Sequence, residues 1–293
     1  MARGETAHTQ RMTRLLSIFT LVLAFGLSTS VASAAPGQGA PCTGAANVIT
    51  GDNNDNVLNG SQFADRILGQ GGNDLINGLQ SADCVFAGDG ADEATGSSGN
   101  DSLSGEAGTD HLSGGADDDL VNGGVGDDDL SGGAGVDRVI GGPGFDFLEG
   151  GLGNDRVQGD AGPDDVSGGH GDDVLTGGDG DDYISGGLGF DRVNGNDGPD
   201  EVSGGKGDDR INGGDGNDDI NGGDDNDRLL GDAGNDRLSG GFGVDRFYGG
   251  LGRDFIVAAD GNREFVFCGA GFDTAIVDRR DVTFACDRVL RAG

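Results

Sequence analysis

Residues 168–187 read GGHGDDVLTGGDGDDYISGG, a nine-residue phrase stated twice and begun a third time. Each copy opens with two glycines, places a third at its fourth position, sets an aspartate at the sixth and one apolar residue at the eighth. Those are Asp173 with Leu175 in the first copy and Asp182 with Ile184 in the second. Counted outward in nines, the phrase runs without insertion or deletion from Cys42 to Val257, twenty-four copies in all. The first place is Gly in twenty-two of them and the fourth is Gly in eighteen. The sixth is Asp in twenty-two and Asn at Asn47 and Asn56, and the eighth is apolar in all twenty-four, from Ile49 to Ile256. A disordered glycine–aspartate polymer has no reason to keep that register.

Each place has a physical reading. Glycines at places one, two and four allow positive-φ turns and close approach of other atoms. Places seven to nine, VLT or YIS, alternate outward, inward, outward, the period of a short half-buried strand. Each copy is then a turn followed by a three-residue strand, and two copies make one circuit. The predicted fold is all-β: a parallel β-roll (β-solenoid) of about twelve 18-residue turns.

The composition says what such a coil lacks. The 293 residues include 64 Gly, no Trp and two Tyr, with 52 Asp plus Glu against 18 Lys plus Arg, a net charge of −34. That balance argues against nucleic acid and anionic membrane surfaces as partners and favours cations. One buried hydrophobe per nine residues is little to set against the entropy of ordering the other eight, and stacked carboxylates repel. Calcium fits the need, because it takes six to eight oxygen ligands at about 2.3–2.6 Å and the turns offer carboxylates and carbonyls; magnesium prefers a tighter octahedron and should compete badly. The competing reading is a metal-free solenoid whose aspartates only form turns. Turn duty alone does not require a carboxylate where Asn would serve.

The copies GGVGDDDLS (123–131), GGLGNDRVQ (150–158) and GGKGDDRIN (204–212) resemble the G-G-x-G-x-D-x-U-x repeat of RTX, or haemolysin-type, calcium-binding proteins. The resemblance implies a parallel β-roll with roughly 10–20 calcium ions in its turns, each held by sixth-place aspartates and loop carbonyls. Carried over, the ligands are Asp74, Asp92, Asp101, Asp110, Asp119, Asp128, Asp137, Asp146, Asp155, Asp164, Asp173, Asp182, Asp191, Asp200, Asp209, Asp218, Asp227, Asp236, Asp245 and Asp254. The copies at 51–59 and 60–68 lack the fourth glycine, so weaker calcium sites are expected there. Asp117 and Asp225 replace that glycine within good runs, which implies either strain or an extra carboxylate.

The ends read differently. In residues 1–34, Arg11 and Arg14 precede an apolar run from Leu15 to Leu27, followed by Ala32-Ser33-Ala34, the pattern of a cleaved export leader; Met12 is an alternative start. The run is too short to span a bilayer, so secretion is expected rather than stable membrane insertion. In an oxidising medium four cysteines read as two disulfides, with three pairings open. Resemblance to the termini of secreted actinobacterial members of the family implies Cys42–Cys84 and Cys268–Cys286. The expected organisation is a leader (1–34), an N-terminal cap (35–50), the β-roll (51–257) and a C-terminal cap (258–293).

No enzymatic constellation stands out. The three histidines are scattered and no HExxH occurs, so no enzymatic activity is expected, and the chain reads as a monomer. One pattern is not required by calcium. Arg138, Arg156, Arg192, Arg210, Arg228 and Arg246 occupy the outward seventh place at multiples of eighteen, which predicts a ladder on one face. Two readings follow: neutralisation of nearby turn carboxylates, or a strip for an anionic cell-wall or matrix polymer.

Overall fold

The computed structural model describes residue 45 and residues 47–292. They form 28 strands, from β1 (Asn47–Thr50) to β28 (Arg288–Arg291). Odd-numbered strands build one fourteen-stranded sheet and even-numbered strands another, and every pairing is parallel. Consecutive strands alternate between the sheets, so each pair of nonapeptides closes one circuit and residue i pairs with residue i + 18: Arg192 with Arg210, Val193 with Ile211. The fold is an all-β parallel β-solenoid.

The eighth-place residues form the core. Leu175 and Ile184, one from each sheet, are 1% and 0% exposed and belong to a single continuous cluster that runs from Ile67 to Val277. One apolar layer per circuit suffices because both sheets present it to the same interior.

Two expectations change. Strands are about six residues long rather than three: β15 (Val174–Asp179) and β16 (Tyr183–Leu188) run from place seven through place three of the next copy. The first place is therefore a strand position facing inward, and its glycine serves space rather than turning. A Cβ on Gly168 would stand 2.4 Å from Asp173 Oδ2 and 2.6 Å from the Gly186 carbonyl oxygen. Positive φ belongs to places two and four, as at Gly169 (105°) and Gly171 (133°).

The solenoid also has about fourteen turns rather than twelve. Residues 258–293, expected to be a cap, contribute four more strands to the same sheets, the first being β25 (Phe265–Gly271). Register there is looser: Arg246 pairs with Phe265, nineteen residues on, and Thr274 with Arg288, fourteen on. Cys268 and Cys286 are joined, with Cα atoms 5.0 Å apart, across two neighbouring rungs. Cys84 is disulfide-bonded; Cys42, its expected partner, and the expected leader lie outside the described residues. Among the described residues no helix is long and apolar enough to cross a membrane.

Candidate metal centres along the two edges

Each sixth-place aspartate sits where a turn enters a strand, and the alternation of strands divides them between two edges. All twenty predicted ligands are buried, none more than 4% exposed. Asp173 stands on one edge and Asp182 on the other.

Their first oxygens are occupied. The main-chain N–H of Asp155 donates to Asp173 Oδ1 at 2.7 Å, and that of Asp173 donates to Asp191 Oδ1 at 2.8 Å. On the other edge the Asp164 N–H donates to Asp182 Oδ1 at 2.8 Å, and the Asp182 N–H to Asp200 Oδ1 at 2.9 Å. The pattern repeats rung by rung, so each edge carries a hydrogen-bonded file of aspartates in which every carboxylate serves the turn before it.

Their second oxygens are not occupied. Oδ2 of every one of the twenty is buried without a hydrogen-bond partner. An isolated buried carboxylate oxygen is costly, and burial accordingly pushes these carboxyls up: Asp101, Asp173 and Asp209 to about 7, Asp164 and Asp227 to about 8. Neighbouring aspartates of the same file raise them further.

Oδ2 lies against the first-place glycine, and a carbonyl oxygen of the next circuit borders the same notch. The notch left by the missing side chain at Gly168 is bordered by Asp173 Oδ2 and the Gly186 carbonyl; at Gly177 it is bordered by Asp182 Oδ2 and the Gly195 carbonyl, 2.2 and 2.9 Å from the point a Cβ would take. Fourth-place glycines bring turns equally close, since a Cβ on Gly126 would lie 1.6 Å from the Gly108 carbonyl oxygen. Among the described residues no three His, Cys, Asp or Glu side chains converge, so a cation at these edges would have to draw on main-chain carbonyls beside the carboxylates. Hard oxygen donors with net negative charge suit calcium.

The orphaned oxygen also sorts the candidates. Asp83, Glu264 and Asp273 share it and were not among the twenty; Glu264, pushed up to about 9 by burial and by the nearby Asp260, stands at a sixth place hidden by the register shift. Asp65 does not share it. Its Oδ1 accepts from Asn47 Nδ2 at 2.6 Å and its Oδ2 from the Ser61 N–H at 2.5 Å. Asp117 and Asp225 take φ of 78° and 82°, so strain is real there.

A second file escaped sequence reading. Fifth-place Asn and Asp side chains accept the main-chain N–H of the fifth residue one circuit later: Asp172 donates to Asn154, and Phe190 to Asp172, each at 3.0 Å. The signal was an excess of Asn and Asp at a place the motif leaves open.

The six arginines fall in one column of the odd-numbered sheet, interrupted by Val174 between Arg156 and Arg192. The three ion pairs formed among the described residues are His111–Asp129, Lys206–Asp224 and Arg237–Asp219. None of the six arginines takes part in these pairs.

Curated proteins yield no significant match to the chain. The family model for the RTX calcium-binding nonapeptide repeat matches in overlapping blocks that together cover residues 43–263. With the repeat, the parallel coil and the files of buried aspartates in agreement with that match, the chain belongs to the RTX calcium-binding nonapeptide repeat family.

Proposed function

We propose that this protein is secreted, binds roughly 10–20 calcium ions through the sixth-place aspartates and turn carbonyls, and folds as it binds them. The observation that carries the reading is the buried, partnerless Oδ2 repeated at all twenty predicted ligands. Without a cation the folded state keeps a buried, partnerless carboxylate oxygen at each of these aspartates; with one, those oxygens gain a partner. Residues 1–34 act as the export leader, and residues 35–50 together with 258–293 close the ends of the coil, as solenoids require.

Circular dichroism of the chelated mature chain during a calcium titration tests this. The expected result is a disordered spectrum that converts cooperatively to β structure in calcium and responds far less to equal magnesium. A strong β signal that persists after chelation would remove the coupled-folding reading, and a spectrum that stays disordered in millimolar calcium would remove calcium-driven folding altogether.

A further inference from the structure

The odd-numbered sheet has an outer surface unlike the rest of the chain. Its outward places seven and nine, followed along the whole sheet from Val48 and Thr50 to Val282 and Phe284, hold no carboxylate. The same two places on the even-numbered sheet hold Glu93, Asp129, Glu149, Asp165, Glu201 and Asp219. In a chain of net charge −34, these two outward places of one sheet have been kept free of acid and given a column of exposed arginines.

Among the described residues none of the six arginines forms an ion pair. Of the six, Arg228 stacks its guanidinium over Tyr248 on the next rung, 4.9 Å from the ring centroid, which leaves its N–H edges to solvent. The surface carboxylates of this sheet come later along the strands, among them Glu106, Asp160 and Asp232 at place two and Asp179, Asp197 and Asp215 at place three. Like charges on adjacent strands destabilise a sheet mildly, so the column is a cost that calcium binding does not explain.

We infer that this strip binds a linear anionic polysaccharide, a uronate or sulfated glycan, laid along the sheet. Parallel strands place Arg192, Arg210, Arg228 and Arg246 about 4.8 Å apart on successive rungs, a run of four bidentate donors for carboxylate or sulfate, with Arg138 and Arg156 beyond Val174. Beside them the ninth-place column holds Gln158, Thr176, Asn194 and Asn212, uncharged side chains that do not repel an anion; Gln158 and Asn194 donate along the strand to Asp160 and Asn196. A shallow depression lined by Arg210, Asn212, Arg228 and Leu230 lies between the two columns. The strip exists only in the folded sheet, so the inference rests on the calcium-folding reading for its occurrence, while its specificity rests on the arginines alone.

The test uses the full mature chain in calcium, with heparin and polygalacturonate as probes and neutral dextran as blank. One variant carries Arg192→Gln, Arg210→Gln and Arg246→Gln; a charge-matched control carries Arg237→Gln, Arg253→Gln and Arg263→Gln, outside the strip. The expected result is salt-sensitive binding of the unaltered protein to at least one polyanion, weakened about tenfold or more in the strip variant and about twofold or less in the control. Equal weakening in both variants, or no binding of the unaltered protein, overturns the strip. Tighter capture by single-stranded polynucleotide or by anionic lipid vesicles than by either polysaccharide overturns the assigned partner. Circular dichroism on the same samples separates the two readings: a folded protein that fails to bind sinks the strip alone, and one that stays unfolded in calcium sinks both.

Discussion

At the scale of a residue, the two oxygens of one aspartate do different work, and substitutions can separate them. In Asp164→Asn, the amide oxygen still accepts the N–H of Asp146, which the carboxylate accepts at 2.9 Å, while Nδ2 replaces the partnerless oxygen. The expected outcome is opposite in sign in the two states: easier folding without metal, because a neutral amide is cheaper to bury, and affinity weakened on the order of tenfold at that site, because a charged ligand is gone. Isothermal titration and chelated-state circular dichroism read the two effects. Leu79 makes a second case. It holds φ at 83° while 38% exposed, so Leu79→Gly should raise stability by about 1 kcal/mol, seen as a higher Tm in saturating calcium. The aspartate and the eighth-place hydrophobe were legible in the sequence because both recur with the same period. The reason for the first-place glycine was not, since composition cannot distinguish a glycine chosen for φ from one, like Gly168, chosen because a carboxylate occupies the space a methyl group would need.

At the scale of an element, the strands from Phe265 onward show how much irregularity the coil accepts. A spacing of nineteen residues still delivers Val266, Ala275 and Val277 to the core, because only the inward strand positions must coincide and turn length is free. That freedom hid the last rungs from a strict count of nines. Past Gly271 these rungs lack the regular turn glycines, and the Cys268–Cys286 bridge takes part of their load. Cys286→Ser, together with Cys268→Ser, should cost about 3 kcal/mol for closing an 18-residue loop, and should release the final strands to proteolysis before the rest of the coil melts. Cleavage elsewhere first would show that the bridge is not what holds this end.

At the scale of the whole solenoid, charge sets the conditions for order. The buried carboxyls are pushed up, several to about 7 or 8, whereas in an unfolded chain they titrate near the ordinary aspartate value of about 3.9. A raised folded-state value means the fold holds protons that the unfolded chain has released, so metal-free stability is fully present below about pH 4 and is lost as pH rises through about 6 to 8. The chelated chain should therefore gain β structure on acidification from pH 8 to 4.5, and calcium should make that gain unnecessary at pH 8. Circular dichroism across pH with and without chelator checks both halves; a chelated chain equally disordered at both pH values refutes the first. The aspartate files have one further property, which concerns direction. Every main-chain N–H in them reaches toward the C-terminus for its acceptor: Asp182 for Asp200 at 2.9 Å, Asp200 for Asp218 at 3.0 Å. Asp200→Ala therefore strips the acceptor from Asp182 and leaves its own N–H bonded to Asp218, and hydrogen exchange should accelerate at residue 182 but not at residue 200. A lesion in this coil has an upstream and a downstream side, and the rung that suffers is the one the ribosome made first.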